Sequence, residues 1–238
     1  MGRTVVVTQG NFLPWRGWFA LLARADAWVV LDGVQFTRRD WRSRNRIKTP
    51  RGPAWLSVPV QVSGRFHQAV EEARIADPGW AGAMLGAIAA AYRPAAHFAE
   101  VFPWLAAQLR AAAAEPLLSR ANEGLTRAVA ARLGLGPEVL RDRALLPPEA
   151  LRAMDASERL AALAAAAGAT RYLTGPAARA YLDPSPFRRR GIALDWMDYG
   201  PCPPYPQPWG PFLPGMSVVD LLLNAGPAAP ALLGGARP

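Results

Sequence analysis

The chain has one cysteine, Cys202, and two histidines, His67 and His97, among its 238 residues. A disulfide framework and a cysteine-based metal cluster are therefore excluded, and two imidazoles leave little for zinc, so no metal site is expected. No window approaches the roughly twenty uninterrupted apolar residues of a membrane span. The opening MGRTVVVTQG reads as a strand rather than a signal peptide, and no Ser or Thr stands where a myristoylation signal needs one. The expected location is the cytoplasm. Walker A, GxGxxG, GxSxG, HExxH and CxxC patterns are missing as well, which removes the standard P-loop, dinucleotide, serine-hydrolase and zinc readings.

Lysine is scarcer still. Of 27 basic side chains only one, Lys48, is lysine. Abundant Ala, Gly and Pro beside Arg in place of Lys mark a codon bias, so part of the net charge of +9 is compositional. The same bias singles out Lys48, because a point charge on a flexible stem suits phosphate contact or amine chemistry better than a planar guanidinium. Acids are few where bases are many. Residues 38–51, RRDWRSRNRIKTPR, hold seven cations against the single acid Asp40. Such a run faces either solvent or an anionic ligand. The interleaved Trp41 and Asn45, able to stack or hydrogen-bond, favour the ligand.

What is present reads as one α/β fold. Thr4 to Thr8 and Ala27 to Leu31 are buried β-branched or apolar runs, with an apolar-periodic helix, WFALLARA, between them. Strand, helix and strand in this order form a right-handed crossover, so the sheet begins parallel. Loops at the carboxyl ends of such strands carry function. Gln9 to Asn11 and Asp32 to Gln35 lie in two of them. AWLSVPVQV, residues 54–62, alternates as a strand able to pair with Arg46 to Thr49. Residues from Trp80 to about Leu133 have helical spacing, with breaks near Pro94 and Pro116, and Val139 to Arg141, Arg171 to Thr174 and Ile192 to Trp196 are further short strands. The expected architecture is a mostly parallel, Rossmann-like sheet, with a HUP-like variant open. A single domain spans residues 1–228, with an Ala-rich helical insertion at about 78–134 and a flexible tail over 229–238. Tyr199 to Pro214, with seven prolines among aromatic residues, can be neither helix nor central strand and reads as a stiff extended strap.

Several side chains suit chemistry by type and setting. Asp32 at a strand end can act as a base or cap a turn. His67 lies in a polar loop, where a base near neutral pH or an incidental surface imidazole would sit. Tyr205 and Gln207 on the strap can bond a polar substrate. Ser217 and Asp220 open the last helix and serve either a ligand or that helix's amino end.

The segments QGNFLPWRGWF, DGVQFTRRDWRSRNRIKT, WLSVPV and SVVDLLLN, in this order, carry the pattern QxxFLPWxGxF, DxVQFxRRxWxxRNRIKT, Tyr-x-Gln and SxxDLLxN. This pattern resembles the WbqC-like family of bacterial proteins, found in clusters for O-antigen and specialised-metabolite assembly. Gly10 departs from it, standing where the family usually has proline. The resemblance points to Gln9, Asn11, Trp15, Asp32, Gln35, Arg38, Trp41, Arg44, Asn45, Arg46 and Lys48 in the first half, and to Tyr205, Gln207, Ser217, Asp220 and Asn224 in the second. It implies a glycine or other amino-acyl transferase. A fainter likeness of Gly10 to Trp18 to the first loop of HUP-type nucleotidyltransferases places Trp15 and Trp18 where those enzymes carry histidines, so their usual adenylyl chemistry has no imidazole.

The function expected is transfer of an acyl or amino-acyl group from a phosphate-bearing donor to an amine of a sugar or related polar acceptor. The donor is a phosphopantetheine thioester on a carrier protein, coenzyme A, or an aminoacyl-tRNA. His67, Asp32 and Lys48 are the expected catalytic residues, the others named above the substrate contacts, and no tightly bound cofactor is expected. A nucleotide-dependent ligase and a non-catalytic RNA- or carrier-protein-binding module are the alternatives.

Overall fold

A computed structural model describes residues 2–200 and 202–234. Seven strands occur among them: β1 (Thr4–Thr8), β2 (Ala27–Val30), β3 (Arg44–Thr49), β4 (Gly52–Ser57), β5 (Glu138–Arg141), β6 (Arg171–Thr174) and β7 (Ala193–Trp196). The helices are α1 (Arg16–Ala23), α2 (Trp80–Tyr92), α3 (Phe98–Ala113), α4 (Leu118–Arg132), α5 (Asp142–Leu145), α6 (Pro148–Ala153), α7 (Ala156–Ala166), α8 (Ser185–Arg189) and α9 (Val218–Ala225).

Five strands form one sheet in the order β5-β2-β1-β6-β7, and every pairing in it is parallel. The chain moves outward from β1 to β2 and β5, then returns to the other side of β1 for β6 and β7. This is the Rossmann-like arrangement, with its switch point between β1 and β6. Alternation along β1 and β2 sends side chains to two faces. Val6, Trp28 and Val30 join α1, α2, α3, α4 and α9 in the larger core. Val5, Val7, Ala27 and Val29 join α7 and Phe187 of α8 in the smaller one. The alanine-rich helices α2 to α4 thus share the larger core with α1 and α9.

The second sheet is the antiparallel ribbon β3–β4, with Arg46 opposite Trp55 and Lys48 opposite Pro53. The strand expected over residues 54–62 stops at Ser57. Pro59 has no N–H for the ladder, and the chain changes partner there, Val60 bridging Ile75. The tail also differs from its reading. Gly226–Leu232 is a 3-10 helix, and Ala229 and Leu233 are buried, so the apolar side chains anchor this part of the chain. Residues 235–238 lie outside the described residues.

Candidate functional site

The basic run divides by the face each residue occupies. On β3, Arg44 and Arg46 point to the same side as successive alternate residues, and Trp55 stands across from Arg46. The Arg44 guanidinium lies 4.1 Å from the Trp55 ring centroid. The Arg46 guanidinium lies 5.7 Å from Trp55 and 6.0 Å from Trp41, and the two indoles are 5.6 Å apart. The rings are 47% and 46% exposed, so this is a cation–aromatic ladder open to solvent. Arg38, Arg39, Arg44 and Arg46 have no carboxylate partner among the described residues, and Nε of both Arg44 and Arg46 is buried without an acceptor. Their charge is unneutralised and available to an anion.

Arg42 behaves differently. It turns back to Asp40, Gln9 and Thr37, and burial lowers its guanidinium to about 10. It ties the basic loop to the carboxyl end of β1, and Gln9 spends its amide oxygen on that tie. Next to the ladder, a cavity of about 330 Å³ is walled by Asn11, Trp15, Trp41, Asn45, Arg46 and Gly215. A groove of about 700 Å³ holds Arg38, Arg39, Ser43 and Arg44 over an apolar floor that includes Phe36 and Val60. Trp15 reaches its cavity because Gly17 lacks a side chain. A Cβ there would overlap the indole.

Lys48 lies on the same side of β3 as Arg44 and Arg46 but is buried. Its ammonium donates to Gln207 Oε1 at 3.3 Å and to the carbonyls of Gly210 at 3.2 Å and Pro211 at 2.7 Å. All three hydrogens are engaged, so Lys48 holds the strap and has none left for an anion. This corrects its expected role.

Asp220 completes the lock. Its Oδ1 accepts from Tyr205 at 2.7 Å and from Gln207 Nε2 at 2.6 Å. Its Oδ2 accepts from Tyr92 at 2.6 Å. Burial raises the Asp220 carboxyl, opposed by these three bonds and by Lys48. Burial and the nearby carboxylate push both tyrosines up, so they remain hydrogen donors. Asn224 Nδ2 donates to the Asp220 carbonyl at 2.8 Å. Ser217 caps α9 and donates to Leu13 O at 2.8 Å, and Asn45 Nδ2 donates to the carbonyls of Phe12 and Leu13. Tyr205, Gln207, Ser217, Asp220 and Asn224, expected at the ligand, are thus bonded to one another, to Tyr92 and Lys48, and to backbone. Asn45 also borders the ladder cavity.

Asp32 follows β2 and is buried. Ser119 donates to its Oδ2 and Arg141 Nη1 stands 3.5 Å from the same oxygen, whereas Oδ1 has no partner. Burial raises this carboxyl above the usual range, with Asp142 adding to the effect. Gln35 is exposed and donates to Phe66 O at 2.9 Å. His67 is exposed on the loop beyond and meets the edge of Phe66 at 5.0 Å; it borders neither the ladder cavity nor the arginine groove. Among the described residues no group of three or more His, Cys, Asp and Glu could hold a metal ion, and no helix is long and apolar enough to cross a membrane.

Four contributors, Arg16, Ser119, Asn122 and Glu123, lie outside the site residues expected from the sequence, although Asn122 stands in a segment of the family resemblance. Arg16 is buried in α1 and donates to the carbonyls of Cys202, Pro203 and Leu232. The helix α4 presents Ser119 to Asp32, and Asn122 to the carbonyls of Gly10 and Arg42 at 2.9 and 2.8 Å. Glu123 on the same face pairs with Arg141 and Arg127. The available signal was the spacing of polar Ser119, Asn122, Glu123 and Thr126 at helical period within an alanine-rich stretch, a stripe that is buried here.

The strand-end loops, ladder and strap that make this arrangement lie within residues 9–231, the span matched by the model of the WbqC-like protein family. A protein of Mycobacterium tuberculosis (strain H37Rv), described as the uncharacterized protein Rv1507c, is 42% identical over 233 residues, 97% of each chain. No solved structure matches the chain. With a family match and a relative both running nearly its full length, the chain belongs to the WbqC-like protein family.

Proposed function

We propose that the protein transfers an acyl or amino-acyl group from a phosphate-bearing carrier to the amine of a sugar or related polar acceptor. The carrier is a carrier-protein or coenzyme A thioester or an aminoacyl-tRNA. The observation that carries this reading is the solvent-open ladder Arg44, Trp55, Arg46 and Trp41 beside a cavity. Guanidinium forks bind phosphate oxygens in pairs, and an indole face accepts the planar base that coenzyme A and tRNA share. The acyl end of such a donor then has the cavity of Asn11 and Trp15 to enter.

In the transfer, the amine nitrogen attacks the acyl carbon and a C–N bond forms. The C–S or C–O bond to the carrier breaks, and the proton lost from nitrogen ends on the departing thiol or hydroxyl. The protein supplies positioning, and its unpaired arginines offset charge on the donor. Of the three residues expected to carry the chemistry, Asp32 keeps an unshared carboxylate oxygen, but that oxygen is closed to solvent and Asp32 lines neither the ladder cavity nor the arginine groove, so no base is assigned to it.

The test is calorimetric titration of coenzyme A and of charged and uncharged tRNA into the wild type, Arg44→Ala and Arg46→Ala. Each variant is expected to lose about tenfold in donor affinity with its melting temperature unchanged. Unaltered donor affinity in both variants would refute the assignment of the ladder. The RNA-binding module, which draws on the same ladder, requires tRNA binding that is indifferent to the aminoacyl group, falls steeply with salt, and supports no acyl transfer to glucosamine.

A further inference from the structure

A second cavity, of about 420 Å³, opens at the switch point between β1 and β6. Thr8 and Gln9 line it from the end of β1, Thr174 and Gly175 from the end of β6, and Tyr181 and Tyr199 from the segments beyond. Its chemistry is unlike that of the basic ribbon. Among the described residues no carboxylate lines it. The one charged group among the described lining residues, Arg159, spends Nε and Nη2 on the carbonyls of Leu151 and Met154, both at 2.8 Å.

The remaining polar groups are neutral; Gln9 Oε1 is taken by Arg42 and the Thr174 hydroxyl by Tyr172, which leaves Thr8 the least engaged. Thr8 Oγ1 has only the carbonyl of Gln9, at 3.5 Å. Trp18, which also lines the crevice, is buried, and its indole Nε1 has no hydrogen-bond partner. That nitrogen is closed to solvent, so Trp18 contributes apolar wall and not a donor to the crevice. Tyr181 is 66% exposed and offers a flat apolar face at the rim. Neutral hydroxyls, an amide and an aromatic platform, without fixed countercharge, match a polyhydroxylated ring. To a phosphate the described lining adds a single guanidinium, that of Arg159, whose Nε and Nη2 are already bonded to carbonyls.

This crevice adjoins the ladder cavity. Tyr199 on its wall packs against Trp15 of the other, with ring centroids 5.0 Å apart. Gln9 on its wall is bonded to Arg42 of the basic loop. Tyr199 and Trp15 thus form part of the partition between the two cavities.

We infer that the switch-point crevice is the acceptor site and takes a polyhydroxylated, sugar-like amine. This deepens the transferase reading and rests on it for the acceptor's role, although binding itself requires no donor. The absence of a carboxylate from the described lining has a chemical consequence. An ammonium group entering a partly desolvated site beside a guanidinium sheds its proton more readily, and the neutral amine is the form that attacks an acyl carbon.

The experiment is saturation-transfer NMR and calorimetry with glucosamine and glucose as probes, in the wild type, Thr8→Val, Tyr181→Ala and Arg46→Ala. Both sugars are expected to bind the wild type, about tenfold more weakly to Thr8→Val and Tyr181→Ala, and equally well to Arg46→Ala. Coenzyme A affinity should be unchanged in the two crevice variants. Absence of sugar binding to the wild type would overturn the inference, and so would sugar binding lost in Arg46→Ala but kept in both crevice variants. Displacement of the sugar by adenosine monophosphate or inorganic phosphate would make the crevice an anion site instead. Failure of the donor assignment would appear only in the coenzyme A and tRNA titrations, so the two readings fail separately.

Discussion

Asp220 is buried and accepts three hydrogen bonds, two through Oδ1 and one, from Tyr92, through Oδ2. Removing the Tyr92 hydroxyl strips Oδ2 of its donor and the Lys48 backbone N–H of its acceptor, while the ring remains to fill its space. Tyr92→Phe is therefore expected to cost about 1–3 kcal/mol of stability, read by denaturant unfolding, with coenzyme A affinity retained. Unchanged stability would mean that the lock contributes nothing to the fold. Lys48 shows why residue type alone misled. Its singularity in an arginine-rich chain marked it correctly as special. The acceptors that define its role, Gly210 and Pro211, lie more than 150 positions away in sequence, and no local pattern announces them.

The β3–β4 ribbon is the element on which both roles of the basic run are written. Alternation turns Asn45 and Ile47 inward and sets Arg44, Arg46 and Lys48 on the opposite side. The strap then covers Lys48 and leaves the arginines open. Trp55→Ala removes the ring on which both guanidinium groups rest, yet that ring is half exposed. Donor affinity is expected to fall about tenfold, while stability stays within about 0.5 kcal/mol. Thermal melts and titrations on the same sample separate the two effects, and a large loss of stability would make the ladder structural. Period and turn residues made the ribbon, the parallel strands and the breaks before α3 and α4 legible in the sequence. The strap's partners and the buried polar face of α4 were not legible, because each depends on which element folds over it.

For the molecule as a whole, burial raises the carboxyls of Asp32, Asp142 and Asp220 in the folded state. A carboxyl raised on folding binds its proton more readily in the native state than in the unfolded chain. Its contribution to stability therefore grows as pH falls through the folded value, and is complete below the unfolded value of about 3.9. Relative to Asp32→Asn, the wild type is expected to gain stability as pH is lowered from 7 toward 4. Unfolding free energies of the two proteins across that range check the sign. A constant difference would mean that Asp32 does not titrate there.

Both cavities share a property of time as well as space. Asn11, Trp15 and Thr8 are made early in translation, but Tyr199 and Gly215, which close the same cavities, are made late. During synthesis the arginine ladder leaves the ribosome long before the strap that covers Lys48. Over that interval the nascent chain carries an uncovered ammonium beside its unpaired guanidinium groups, in the company of ribosomal RNA. Arrival of Gly210 and Pro211 withdraws that charge from the surface. Folding of the strap thus removes a cation from general polyanion contact and finishes the walls of both cavities.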